Sequence, residues 1–330
     1  MVRDHESGSG SPVMNGSNSA ERDGATAETL RRCVRGELSP AIALVRLLIA
    51  HRDLSALRSA LDTLAKRADQ DRAMRDAVSR ITGLLDAHPE GSALALRMLE
   101  QERAAAGGQS SEEELARCRH LFGGFVRDSP EASVALYSLG DPNLLEKATG
   151  EVVELFERLG VVGPERRVLD IGCGIGRIEQ ALAPRVAAIT GIDLAPGMIA
   201  AARTRCAGLP NVTLVETSGR DLAAFPPGSF DTVLAIDAMP YVWRVGAALV
   251  ARHFTEVARV LRAGGDCVIL NLSYRGDLEL DRQDARRLAE MSGLRVLRNG
   301  TTDLRLWDGA TFHLRKPVEG APRVAISPPG

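Results

Sequence analysis

The sequence predicts an α/β fold, a mostly parallel sheet with a ligand crevice along its top, preceded by a small all-α region. Three observations lead there. Short apolar, β-branched runs recur from Val168 onward, several of them ending in an acidic residue. Glycine turns and helix-like stretches separate the runs at the spacing of strand–helix–strand units. Before residue 107 the apolar side chains instead recur every three or four positions, the period of a helix face.

Residues 1–28 are rich in Ser, Gly and Asn and hold too few apolar side chains to offset ordering entropy, so a disordered tail is expected. They lack the apolar core of a secretory signal. Residues 29–106 read as a helical domain: Leu54, Leu57, Leu61 and Leu64 share one helix face, and Met74, Val78, Ile81 and Leu85 share the next. Such a domain offers a cap, a homodimer surface or a surface for a protein partner. Residues 107–130 form a linker and a helix. Gly107-Gly108 break the chain, and Ser111 followed by Glu114 is a helix-start pattern. The main domain spans 131–316, with a Gly140-Asp141-Pro142-Asn143 turn before a helix at Leu144–Leu159, and 317–330 is a Pro-rich tail.

Val168-Leu169-Asp170-Ile171 is the first strand, and Gly172-Cys173-Gly174-Ile175-Gly176 is the turn into the next helix. Glycines allow the sharp turn and let the backbone approach a ligand. The helix after them aims free N–H groups at the same place. Asp170 can orient the loop or accept hydrogen bonds from a cationic ligand. The spacing is not G-x-G-x-x-G, because Arg177 stands where a dinucleotide fingerprint needs its third glycine. The chain also has no phosphate loop of the G-x-x-x-x-G-K-[ST] type. The second strand, Ala187–Asp193, ends in a carboxylate at the position that can hold both ribose hydroxyls of a nucleoside. Leu194 follows it and offers apolar surface to an adenine. Val212–Glu216 and Phe230–Asp237 add two more strands with acidic ends. A helix at Val245–Leu261, a glycine stop at Gly264-Gly265, a fifth strand at Asp266–Leu270 and a helix at Asp281–Ser292 come next. Leu294–Leu297 and Ala310–Leu314 are the last strands, joined through Asn299-Gly300 and Trp307-Asp308-Gly309.

The ordered set VLDIGCGIG, GIDLAPGMI, SGRDL, FDTVLAID and LRAGGDCVIL resembles the class I S-adenosylmethionine-dependent methyltransferases over roughly 131–316. The resemblance implies a Rossmann-like seven-stranded sheet with a reversed last hairpin and S-adenosyl-L-methionine as cofactor. It implies that the cofactor lies over Gly172, Gly174 and Gly176 with its ribose on Asp193. Adenine would lie near Met198, Asp221 and Leu222, and Asp237 beside the methionine part and the acceptor. A segment before the first strand often covers the cofactor in such enzymes, which makes Tyr137 a candidate contact. Packing on the sheet edge is its other reading.

The reaction implied is an in-line displacement at a sulfonium methyl, in which the protein binds, orients and excludes water. An acceptor O, N or C atom can need a base, and Asp237, Tyr241 and His253 are nearest in sequence. None is singled out as catalytic. Tyr241 is a candidate acceptor contact; covering the sheet edge is its alternative.

A net charge of −2 gives no bulk attraction to nucleic acid or to an anionic membrane. No apolar run reaches the roughly 20 residues of a spanning helix. The five cysteines form no C-x-x-C pair and no metal spacing, so they read as reduced cytoplasmic thiols with no metal site. A small-molecule methyl acceptor is therefore expected. The alternatives are a protein or carrier-bound substrate recognised through the helical domain, and a non-catalytic S-adenosylmethionine-binding protein.

Overall fold

The computed structural model describes residues 19–67, 71–105 and 110–318. The helices before the sheet are α1 (Ser19–Val34), α2 (Pro40–His51), α3 (Leu54–Arg67), α4 (Arg72–Ala87), α5 (Pro89–Ala104), α6 (Ser111–Asp128), α7 (Pro130–Val134) and α8 (Pro142–Leu159). The sheet region then runs β1 (Arg167–Ile171), α9 (Arg177–Leu182), β2 (Ala188–Asp193), α10 (Pro196–Arg205), β3 (Val212–Glu216) and β4 (Phe230–Ile236). It ends with α11 (Met239–Val245), α12 (Ala247–Val260), β5 (Leu261–Leu270), α13 (Leu278–Met291), β6 (Arg295–Thr302) and β7 (Ala310–Arg315).

The seven strands lie in the order β3-β2-β1-β4-β5-β7-β6. β1 to β5 are mutually parallel, and β7 runs antiparallel to both β5 and β6. This is the mostly parallel, Rossmann-like sheet with a reversed last hairpin. The strand order switches direction at β1 and β4, so a crevice opens above their carboxyl ends. Both faces are covered, as apolar strands require. Val168 and Ile189 pack on one side with Phe156 and Ile178, whereas Leu169 and Val233 pack on the other with Phe254 and Leu288.

α1 to α5 close around a core of their own that includes Leu44, Leu47, Leu57, Ile81 and Leu85. This core joins the sheet region through α2. Leu38 and Ile42 share a cluster with Trp307, and Ser39 Oγ donates to the Leu306 carbonyl at 3.0 Å.

Several local expectations are corrected. Residues 19–28 are helical, not tail: Thr26, Thr29 and Leu30 face inward, and Thr26 Oγ1 lies 2.9 Å from His51 Nε2. Residues 1–18, the Ala106–Gln109 break and the tail from 319 lie outside the described residues. Gly264-Gly265, expected as the stop of the preceding helix, lie inside the fifth strand, which begins at Leu261 and not at Asp266: Gly264 N–H bonds to Lys316 O and Lys316 N–H to Gly265 O, both at 2.9 Å. Asn299-Gly300, expected in the connection between the last two strands, is an irregular stretch within β6, where the register shifts between Asn299 and Thr301. Gly300 has φ 69°, where an L side chain is strained, and a Cβ there would also stand 2.9 Å from Leu278 Cδ1.

Asp266 anchors the reversed hairpin. Its buried carboxylate accepts from Arg315 Nε at 2.7 Å and Arg166 Nη1 at 3.1 Å, and lies 2.9 Å from His313 Nε2. Burial alone would raise its pKa, but the bonds from His313 and Arg315 outweigh that and hold it below the usual carboxylate range. Asp266→Asn is expected to cost about 3–5 kcal/mol, a fall in Tm on the order of 10 °C at neutral pH. Because the folded pKa is depressed, this stabilisation is present above the unfolded pKa of about 4 and is lost as pH falls below it. Thermal melts from pH 7 down to pH 3 should therefore show the two proteins converging; a constant gap would contradict the assignment.

Candidate functional site

The crevice is built on the turn after β1. Gly172, Gly174 and Gly176 all have positive φ, at 76°, 54° and 75°. Two of them are also pressed by neighbours: a Cβ on Gly172 would lie 2.6 Å from Ala238 Cβ, and one on Gly174 would lie 2.5 Å from Val134 Cγ1. Their amides are fixed by β2. Gly172 N–H and Cys173 N–H bond to Ile192 O at 2.8 and 3.0 Å. Gly174 N–H donates to Asp193 Oδ2 at 3.1 Å, and Ala195 N–H donates to Asp193 Oδ1 at 2.8 Å. Burial raises the Asp193 pKa against the pull of these amides. Each Asp193 oxygen accepts one amide and keeps a further lone pair for a ligand hydroxyl.

Below the turn lie two carboxyls, Asp170 from β1 and Glu179 from α9. Both are buried and face one another. Asp170 Oδ1 and both Glu179 oxygens have no hydrogen-bond donor among the ordinary partners around them. The nearby Arg177 instead gives Nη1 to Thr149 Oγ1 at 3.0 Å. Gly191 makes the room, since a Cβ there would lie 2.5 Å from Glu179 Oε1. Burial pushes Asp170 up to about 7, and burial together with Asp170 raises Glu179 well above its ordinary value. Two such carboxyls cannot both be charged, so the pair keeps a proton at neutral pH.

The other predicted positions surround this centre. Leu194 lies beside Gly219, whose built Cβ would meet Leu194 Cβ at 3.6 Å and Leu115 Cδ2 of α6 at 3.2 Å. Leu222 is buried. Asp221 is engaged by Arg252 Nη2 at 2.6 Å and by Ala223 N–H at 3.1 Å. Met198 is buried in the core, its sulfur 3.9 Å from Ser133 Oγ. Tyr137 is buried, stacks on Trp307 at 6.3 Å between centroids, and reaches toward Arg177 and Asp237.

Asp237 closes the far end. It has φ 58° and accepts from Asn271 Nδ2 at 2.9 Å; Asn271 itself has φ 64°. Two non-glycine residues in the left-handed region, bonded to each other at the ends of adjacent strands, mark a strained and supported position. Burial raises the Asp237 pKa. The segment after it, expected as a loop, is the short helix α11. It carries Tyr241 against Phe122 and Tyr274, at centroid distances of 4.8 and 5.7 Å. His253 does not join the crevice: it is buried among core residues, with Nδ1 3.0 Å from the Leu249 carbonyl of its own helix. Glu179 and Glu102 escaped the sequence reading. Glu179 leaves a faint signal, an acid among Ile175, Ile178 and Leu182, whereas Glu102 lies in a polar stretch and leaves none.

Residues 168–265 match the family described as methyltransferase domain. The demethylmenaquinone methyltransferase of Tropheryma whipplei (strain Twist) is 39% identical over 116 residues, 35% of this chain and 45% of that protein. The ubiquinone biosynthesis O-methyltransferase of Paracidovorax citrulli is 37% identical over 102 residues, 30% of this chain and 41% of that protein. The chain thus spans less than half the length of these curated relatives. Among solved structures, magnesium protoporphyrin IX methyltransferase from Synechocystis PCC 6803 with bound SAM superposes with a TM-score of 0.47 at 18% identity, covering 62% of this chain and 97% of that one.

The carboxyl pair has a consequence for stability. Its folded pKa values are raised, so the folded state binds more protons than the unfolded state above about pH 4, and stability falls as pH rises toward 7. Glu179→Gln keeps the shape and removes the titration. It is expected to gain about 1–4 kcal/mol at pH 8 and little at pH 4. Melting curves at both pH values check this, and an equal Tm change at the two would contradict the shared proton.

Proposed function

The chain carries a class I S-adenosylmethionine-dependent methyltransferase domain, and from that premise we propose that the protein moves the methyl group of S-adenosylmethionine to a small aromatic acceptor. The observation that carries the reading is the Asp193–Gly174 junction, where a carboxylate with free lone pairs stands beside a turn that only glycine can form. These residues fit the cofactor. Ribose hydroxyls would be held by Asp193, and the chain beyond them would run over Gly172, Gly174 and Gly176. Adenine would lie by Leu194, Met198, Asp221 and Leu222. The methionine end would lie toward Asp170 and Asp237, with Tyr137 over the cofactor.

When bound, the cofactor supplies a methyl group already activated on a sulfonium. What remains for the chain is to bind, orient and keep water away. The acidic groups around the turn favour a cationic ligand by simple Coulomb attraction. Relatives named for demethylmenaquinone and ubiquinone support a quinol-like acceptor. The acceptor atom in this reading is an oxygen; carbon and nitrogen are the other possibilities. Among the described residues no helix is long and apolar enough to cross a membrane. The five cysteines are free and buried, which supports a reducing, cytoplasmic setting.

Calorimetric titration tests the reading. S-adenosylmethionine and S-adenosylhomocysteine are both expected to bind the full chain. Asp193→Ala should weaken binding at least tenfold, about 1.4 kcal/mol. Absence of binding to the unaltered protein would remove the proposal.

A further inference from the structure

Opposite the glycine turn stands a second group of side chains that the cofactor does not require. Phe122 from α6, Tyr241 from α11 and Tyr274 from the β5–α13 connection meet edge to face, with interplanar angles of 80° and 90°. Tyr274 is 52% exposed although Asp237, Tyr241 and Glu102 all stand around it, so its ring borders an open space and not a packed core. The hydroxyls point to carboxyls at both ends. Tyr274 contacts Asp237, and Tyr241 contacts Glu102.

Glu102 belongs to α5 of the helical region, not to the methyltransferase domain. Arg244 Nη1 of α11 reaches it at 3.1 Å, and Arg244 Nη2 reaches Glu114 of α6 at 3.2 Å. The same guanidinium lies 5.8 Å from the centre of the Tyr241 ring. The charged groups facing Glu102 are Arg244, Asp237 and Arg103, with the Cys118 thiol of α6 nearby. Arg103 is turned to the Ile49 carbonyl, at 2.9 Å. Glu114 also meets Arg117 Nη1 at 3.3 Å, and the Glu102 carboxyl has the Tyr241 hydroxyl as well as Arg244 against it. Burial raises its pKa and Arg244 opposes the rise, and a carboxyl raised in this way takes up a proton more readily than a free one.

We infer that the space edged by Phe122, Tyr241 and Tyr274 receives a flat aromatic acceptor bearing an ionisable hydroxyl, and that Tyr241 relays the acceptor's proton to Glu102. This rests on the methyltransferase reading. Aromatic edges and faces suit a planar ring, and the two tyrosine hydroxyls suit its oxygen. The acceptor O–H bond breaks and leaves its electron pair on oxygen. Its proton passes to the Tyr241 oxygen while the Tyr241 proton passes to Glu102. The oxygen pair would form the new bond to the methyl carbon that S-adenosylmethionine supplies, and the electron pair of the broken carbon–sulfur bond would stay on sulfur, leaving a neutral thioether. Tyr241 is the catalytic residue in this scheme and Glu102 the positioning residue behind it.

The test uses 4-nitrocatechol, whose absorbance shifts to the red on ionisation, with the full chain saturated in S-adenosylhomocysteine. Below the free probe's own pKa, the bound probe is expected to show the ionised band. In Glu102→Gln and in Tyr241→Phe the band should be lost, with the apparent pKa of the bound probe raised by about one unit or more, a tenfold change. Glu102→Asp should restore part of it. Unchanged S-adenosylhomocysteine affinity shows that each variant is folded, and Tyr241→Phe answers the question if Glu102→Gln does not fold. Equal ionisation in wild type and both variants, or no binding of the probe beside bound S-adenosylhomocysteine, overturns the inference and leaves the methyltransferase reading intact. Failure of S-adenosylhomocysteine itself to bind overturns both.

Discussion

The crevice depends on the clasp between the end of β2 and the turn after β1. Ile192 O takes two amides of the turn and the Asp193 carboxylate takes a third. A hydrogen bond to a charged group contributes about 1.5–3 kcal/mol, so the Asp193 bonds outweigh the ordinary ladder bonds around them. The clasp works only if the turn follows a path that L side chains resist, which is why its glycines have positive φ. Once that path is set, α9 and α10 begin at fixed points, and Val134 and Ala238 close on the turn from opposite sides.

The same clasp concentrates acid. Asp170, Glu179, Asp193 and Asp237 are all on the crest of the sheet, and burial raises the pKa of each. A chain selected for stability alone would place apolar residues at Asp170 and Glu179, because buried carboxyls without cations are costly. Elsewhere the fold treats buried acid differently. Asp266 has two arginines and a histidine around it and is held ionised. The contrast between Asp266 and Asp170 separates a carboxylate that holds the sheet together from carboxyls that leave charge unmatched next to the crevice.

Most of the sheet was legible because its central strands are buried on both faces and contain little but β-branched and aliphatic residues. Val168–Ile171 and Phe230–Ile236 are such runs, and their glycine or acidic ends show where they stop. The misreadings occur where glycine serves a neighbour and not a turn. Gly300 has φ 69° beside Leu278, and a Cβ on Gly265 would come within 3.0 Å of the Arg262 and Asp231 carbonyls, so both glycines serve inside strands. α1 was hidden by its polar composition, since its few inward residues, among them Thr26 and Leu30, are spaced four apart in a run that looks like tail. At the crevice, motif residues were readable because the turn demands them by type. Tyr137 was not decidable, because stacking on Trp307 depends on a connection far along the chain. Glu102 was invisible for the same reason: its partners are Tyr241 and Arg244, brought to it only by the docking of α5 and α6 on α11.

That docking divides the site between two cores. The glycine turn, Gly172 to Asp193, takes its hydrogen bonds from β2 and the start of α10, with Val134 and Ala238 packed against it. The aromatic group where the acceptor is proposed to bind needs α5 and α6 in place, since Phe122 and Glu102 come from them and Arg244 ties both helices to α11. Buried ion pairs of this kind contribute little net stability but hold a geometry firmly, because removing one partner leaves the other charge uncompensated. An arginine shared between Glu102 and Glu114 therefore fixes where the helical region sits more than how tightly it is held. The aromatic walls depend on α5 and α6 more directly than the glycine turn does, so on the proposed reading a disturbance of α5 or α6 acts on acceptor recognition before it acts on the cofactor.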